Sequence, residues 1–188
     1  QLEKFRAKAL NLGKPQTLKY DFVVVGGGVA GMCAAMSAAR LGLKVALIQD
    51  RPVLGGNNSS ESRVHLGGRI NKAPYTNLGN MIKEFGPKEG GNSRPAYVYE
   101  DQKKMDWIMS NENIDLHICE HANAVIMSGN KIKSVVTQNI MTGAKHIFTA
   151  PLFADCTGDG TIGYLAGAEY LIGRESKDQF NEKSAPEK

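Results

Sequence analysis

The sequence predicts an α/β domain, a parallel sheet with an inserted antiparallel β-meander, on three observations. Two buried-strand patterns flank a helix-like stretch between residues 21 and 48. Three short strand-like segments with turn-like punctuation follow between residues 123 and 149. A last apolar strand at 152–155 then runs into a glycine turn.

In chain order, residues 1–19 form a lead-in segment whose Leu2, Phe5, Ala9 and Leu12 fall near helical spacing before Gly13 and Pro15. The main domain is expected over 20–173, with inserted helices at 76–112 and the meander at 115–150, and a polar tail at 174–188. Asp21 to Val25 reads as a buried parallel strand, Val29 to Leu41 as an Ala- and Met-rich helix, and Lys44 to Ile48 as a second buried strand. Leu78, Met81, Ile82 and Phe85 mark an amphipathic helix, and a second one spans about Glu100 to Asn111, with Met105, Ile108 and Met109 on one face. Trp107 belongs with that face, and Tyr97 to Tyr99 with packing. Asp115 to Cys119 is a strand, and the meander strands are Asn123 to Met127, Ile132 to Gln138 and His146 to Thr149.

Composition narrows the function classes. A chain of 188 residues with 41% hydrophobic and 22% charged residues is globular, one ordinary domain or part of a larger one. The 23 basic against 19 acidic residues are scattered beyond an initial run, which argues against nucleic acid as a partner. Three widely spaced cysteines without C-x-x-C argue against a dithiol pair and a disulfide scaffold, and no apolar run reaches membrane-spanning length. His117, His121 and His146 show no metal spacing, so no metal site is expected. Localisation stays open: a cytoplasmic protein is favoured, while the start at Gln1 leaves room for a trimmed export signal. Oligomeric state is not legible.

VVVGGGVAG contains G-x-G-x-x-G as Gly26, Gly28 and Gly31, with Ala30 between the last two. The motif follows a buried strand and opens a helix, the context in which its glycines have separate duties. Gly26 makes the tight turn, Gly28 admits a pyrophosphate to the backbone, and Gly31 lets the helix pack on the sheet. The motif in this context predicts a Rossmann-like unit with a dinucleotide on the helix N-terminus, against the plainer alternative of a glycine-rich turn without a ligand. The second strand ends in Gln49-Asp50, where a ribose-binding acid is expected. Either Gln49 takes that contact or Asp50 does. Arg51 suits a 2′-phosphate or is a surface arginine.

LGGNNSS at 54–60 and FADCTGDG at 153–160 complete an ordered series of motifs. With them the chain resembles the FAD-dependent oxidoreductases of the glutathione-reductase-like superfamily over roughly residues 20–170. The resemblance implies FAD as cofactor, contacted by Gly26, Gly28, Ala30, Gly31, Gly55, Gly56 and Asn57, and by Thr157, Gly158 and Asp159 of the second glycine turn. It also implies that the chain is the nucleotide-binding part of a larger enzyme that transfers a hydride from a small polar substrate to flavin, truncated before a substrate domain. Cys156 replaces the family's usual alanine and is expected to be a buried small residue.

For chemistry, an extended reading of SSESRVHLGGR puts Glu61, Arg63 and His65 on one face. A cation beside the flavin would stabilise its reduced form, and a histidine would move a proton. A solvent-facing row with one ion pair is the plainer alternative. Two other readings of the chain remain: an NAD-dependent Rossmann dehydrogenase, and a dinucleotide-binding module without catalysis.

Overall fold

The computed structural model describes residues 13–68 and 71–187. Its elements are β1 (Gln16–Lys19), β2 (Phe22–Val25), α1 (Val29–Arg40), β3 (Val45–Ile48), α2 (Asn80–Phe85), a 3-10 turn (Ala96–Tyr99), α3 (Asp101–Met109), β4 (Ile114–His117), β5 (Glu120–Ser128), β6 (Lys131–Asn139), β7 (Lys145–Thr149), β8 (Leu152–Asp155), α4 (Thr161–Leu165) and α5 (Lys177–Phe180). The helical pattern through Leu2, Phe5, Ala9 and Leu12 lies outside the described residues.

Two four-stranded sheets stack. One is fully parallel in the order β4-β3-β2-β8. The other, in the order β1-β7-β6-β5, contains the antiparallel meander. Strand β1, at the end of the lead-in segment, joins that meander in parallel to β7.

Side-chain alternation along the parallel strands divides the core in two. Val24, Val45 and Leu47 face a layer built from α1, α2 and α3, where Met32, Ala35, Met36 and Ala39 of α1 pack at helical spacing. Val23, Val25, Ala46 and Ile48 face the meander, where they meet Val135 and Phe148. The strands are apolar throughout because both faces are covered. A doubly wound sheet would carry helices on each face; here a second sheet covers one of them, joined by the short α4 through Ile162.

The helix layer is tied at its outer edge. Glu84 of α2 accepts from Arg40 of α1 at 3.1 and 2.5 Å and from Trp107 of α3 at 2.8 Å. Trp107 also packs on Phe85, with ring centroids 4.6 Å apart. Met109, expected on the packed face, is exposed instead because it is the last residue of α3. Tyr99 and Val98 are buried as expected, whereas Tyr97 points to solvent.

Candidate functional site

A cleft of about 790 Å³ opens where the carboxyl ends of β2, β3 and β8 meet the N-terminus of α1. Its size is that of a cofactor or small-ligand site. The glycine loop contributes Gly26, Gly28 and Ala30 to its wall, and the end of β3 contributes Gln49, Asp50 and Arg51. Gly55, Gly56, Asn57, Asn58 and Ser59 line it from the following loop. Cys156, Thr157, Gly158 and Asp159 line it from the turn after β8. Three segments far apart in sequence thus form one surface.

Gly31 stands behind the wall. A Cβ there would lie 1.8 Å from the carbonyl oxygen of Gly26, and one on Gly26 would lie 2.1 Å from that of Cys156. Glycine loop, helix and second turn therefore touch backbone to backbone. Gly28 and Gly55 form an isolated bridge across the cleft floor, and a Cβ on Gly56 would come within 3.1 Å of the Gly28 Cα. The bare backbone at these glycines is the cradle a diphosphate needs. Helix α1 adds to it: Gly28 caps the helix without a side chain and its first turn carries no acid, so the helix end offers amide donors and partial positive charge. The residues fit the diphosphate of a dinucleotide such as FAD.

Gln49 is 6% exposed and both ends of its amide are used. Its Oε1 accepts from the Gly27 amide at 2.8 Å, and its Nε2 donates to the Val53 carbonyl at 3.1 Å. The side chain braces the glycine loop against the segment that follows β3. Asp50 keeps its carboxylate half-exposed, 3.8 Å from His121 Nδ1. Arg51 pairs with Glu61 at 3.9 Å, both partly exposed.

The one-face arrangement of Glu61, Arg63 and His65 does not form. Residues 59–62 turn, the Arg63 amide donates to the Ser59 carbonyl at 2.8 Å, and Arg63 adopts φ 58°. Glu61 and His65 line the cleft and Arg63 is not among its lining residues. Arg63 Nε instead donates to the Ser60 carbonyl at 2.9 Å, and its own carbonyl accepts from Tyr99 at 2.6 Å. Asn92 Oδ1 accepts from both the backbone amide and Nδ1 of His65, at 2.9 and 2.8 Å. Since Oδ1 only accepts, Nδ1 carries a proton and Nε2 of the neutral ring is an acceptor.

Three residues invisible as site residues in the sequence support this cleft. Asp155 at the end of β8 accepts from Thr157 through N and Oγ1, at 3.1 and 2.7 Å, and from the Ile162 and Gly163 amides, at 2.8 and 3.0 Å. Burial works to raise its pKa, but the four donors outweigh burial and hold the carboxyl below the ordinary value. Lys104 of α3 is fully buried; its Nζ donates to the Tyr99 carbonyl and stands 3.6 Å from Asp101. Burial pushes this amine below its ordinary value, against the pull of Asp101. Asp101 in turn accepts the Ser60 amide at 3.1 and 3.2 Å, so α3 grips the 55–60 loop from beneath. At Cys156, burial raises the thiol pKa, with the Asp155 charge adding to it, so the thiol form dominates at neutral pH.

Known proteins resemble the chain in sequence and in fold. The chain is 31% identical to dihydrolipoyl dehydrogenase 3 of Pseudomonas putida over 110 residues, 47% of this chain and 23% of that protein. It is 26% identical to digeranylgeranylglycerophospholipid reductase of Sulfolobus acidocaldarius over 163 residues, 87% of this chain and 32% of that protein. The chain thus spans less than a third of either relative. Its fold is similar to that of a geranylgeranyl bacteriochlorophyll reductase-like protein of Thermoplasma acidophilum, with TM-score 0.55 at 21% identity, covering 85% of this chain and 45% of that one. Residues 21–187, which include every residue lining the cleft, match the FAD dependent oxidoreductase family, and the chain belongs to it.

Proposed function

We propose that the chain is the cofactor-holding part of an oxidoreductase that removes a hydride from a small polar substrate, with FAD lying along the cleft. FAD, the cofactor of the family, supplies the two-electron acceptor when bound. The observation that carries the reading is the continuity of the wall: the glycine loop, the 55–59 loop and the turn after β8 line one cleft. A simple NAD unit needs only the first of these. The chain's own residues then have distinct duties. The amides at the start of α1 and the bare glycines hold the diphosphate. Asp50 accepts from the adenosine ribose hydroxyls, because the amide of Gln49 is already committed to Gly27 and Val53. His65, with Nε2 as acceptor, receives the substrate proton, and Asn92 orients its ring.

The protein purified at its full length should show the visible absorbance of a bound flavin, which should bleach when a substrate is added without oxygen. Protein that is colourless after incubation with FAD yet retains NAD would sink the FAD reading. Flavin that resists bleaching by hydroxylated and amino metabolites would favour a binding module without catalysis. Within the reaction, His65→Gln should lower kcat at least tenfold, about 1.4 kcal/mol of barrier, while FAD content stays unchanged. An unchanged kcat would remove His65 from the proton step.

A further inference from the structure

Tyr99 closes the 3-10 turn before α3 and is 1% exposed, and its hydroxyl is spent on two loops. It donates to the Arg63 carbonyl at 2.6 Å and, more weakly, to the Gly91 carbonyl at 3.0 Å, and it accepts the Arg94 amide at 3.2 Å. The Ser93 amide adds a direct link by donating to the same Arg63 carbonyl at 2.8 Å. Arg63 and Ser93, at the two ends of that link, both adopt left-handed backbone, φ 58° and 54°. Such conformations persist in ordinary residues only where the surroundings over-determine them. The main chain of Tyr99 is held as well, because its carbonyl accepts from the buried Lys104 Nζ.

These bonds bracket His65 and its partner. Asn92 lies between Gly91 and Ser93, and His65 follows Arg63 by two positions. Neither belongs to a helix or a strand, so no backbone ladder fixes them. What Asn92 orients is a tautomer. Its Oδ1 meets the His65 backbone amide at 2.9 Å, and an amide N–H is always a donor, so the carbonyl end of Asn92 faces the histidine whatever the ring's protonation. The same oxygen takes Nδ1 at 2.8 Å as an N–H and leaves Nε2 as the acceptor. Displacing Asn92 by about 1 Å would break both bonds. The ring would then be free to place its proton on Nε2, where it can no longer receive one.

We propose that Tyr99 is a positioning residue: its hydroxyl locks the 57–65 segment to the 86–95 loop and so keeps His65 in the tautomer whose Nε2 accepts a proton. This rests on the reading of His65 as the proton acceptor. Tyr99→Phe keeps the buried ring and removes only the hydroxyl. Ring 15N NMR of the full-length protein without cofactor, at about pH 8 where an ordinary histidine is neutral, reads the tautomer, and the spectrum of His65→Gln assigns the signal. The unaltered protein should show the Nδ1–H form. In Tyr99→Phe the signal should move toward the Nε2–H form, and kcat of the FAD-loaded protein should fall about threefold with FAD content and KM unchanged.

A lower kcat with the tautomer unchanged would mark a merely structural role and overturn the inference. So would a shifted tautomer with kcat unchanged, provided that His65→Gln is slow. If His65→Gln and Tyr99→Phe both turn over normally, the proton-acceptor reading fails, and the lock stands or falls on the tautomer alone. If Tyr99→Phe does not fold, hydrogen exchange of the unaltered protein decides. The His65, Ser93 and Arg94 amides, closed by one lock, should show protection factors within about tenfold of one another. A freely exchanging His65 amide beside protected Ser93 and Arg94 amides would overturn the coupling.

Discussion

Single side chains in this cleft divide into those whose polar ends are spent on the wall and those that keep them exposed. Gln49 and Asp50 are neighbours in opposite settings, the first bonded into the wall and the second half-exposed and proposed to meet the ribose. Gln49→Ala removes both hydrogen bonds of a buried amide and leaves the Gly27 donor without its acceptor, so it should cost about 1–3 kcal/mol of stability even without cofactor. Asp50→Ala should leave the melting temperature of cofactor-free protein unchanged and weaken FAD about tenfold, the loss of a charge-assisted hydrogen bond of about 1.5 kcal/mol. Both readouts come from thermal melts and FAD titration. If Asp50→Ala binds FAD normally, Asp50 does not make the ribose contact.

At the scale of elements, the turn after β8 depends on one carboxylate, whose oxygens gather Thr157, Ile162 and Gly163. Asp155→Asn replaces an acceptor by a donor that faces backbone amides, and should cost about 1–2 kcal/mol at neutral pH after solvent screening. The sign of its pH dependence follows from the depressed folded pKa. Its stabilisation is present above the ordinary carboxyl value of 3.8 and disappears as pH falls through the lower folded value. Urea unfolding of both proteins should therefore differ at pH 7 and converge in stronger acid; a gap that persists there would reject the assignment. Glu84, held down to about 2 first by Arg40 and then by Trp107, behaves in the same sense, losing its contribution between the ordinary 4.5 and that value. Because the Arg40–Glu84 pair is exposed, that contribution is at most about 1 kcal/mol.

Across the whole molecule, the parallel sheet is sandwiched between helices and a second sheet, and Phe148 is the largest fully buried side chain in the inter-sheet core. It stacks near Tyr20 at 6.0 Å and meets His117 edge-on at 4.8 Å. A polar row borders it: Tyr20 donates to Asp115 at 2.9 Å, and Glu120 bonds His146 and Thr137 at 2.7 and 2.5 Å. Burial lowers the pKa of His117, so this ring is neutral at neutral pH although Glu120 and Asp115 lie near it. Phe148→Ala should cost about 3–5 kcal/mol, visible as a lower melting temperature. Since Glu120 and Ala122 of the same sheet line the cleft, FAD affinity should fall with it. A loss below about 1 kcal/mol would show that the two sheets do not depend on this core.

What the sequence by itself determined is whatever rests on local pattern. The glycine loop, its flanking strands and helix, the meander and the second glycine turn are all legible there, because turns need particular backbone freedom and buried strands need unbroken apolar runs. Tertiary structure alone decided how those pieces meet. Gln49 is spent on Gly27, Arg63 is turned out of the cleft wall by a left-handed backbone, and Asn58 retains an acceptor without a donor among the described residues. Lys104 lies buried beneath Gly55, 49 positions earlier in the chain. Each of these depends on hydrogen-bond partners and burial supplied by distant segments, and spacing along a chain carries no record of either.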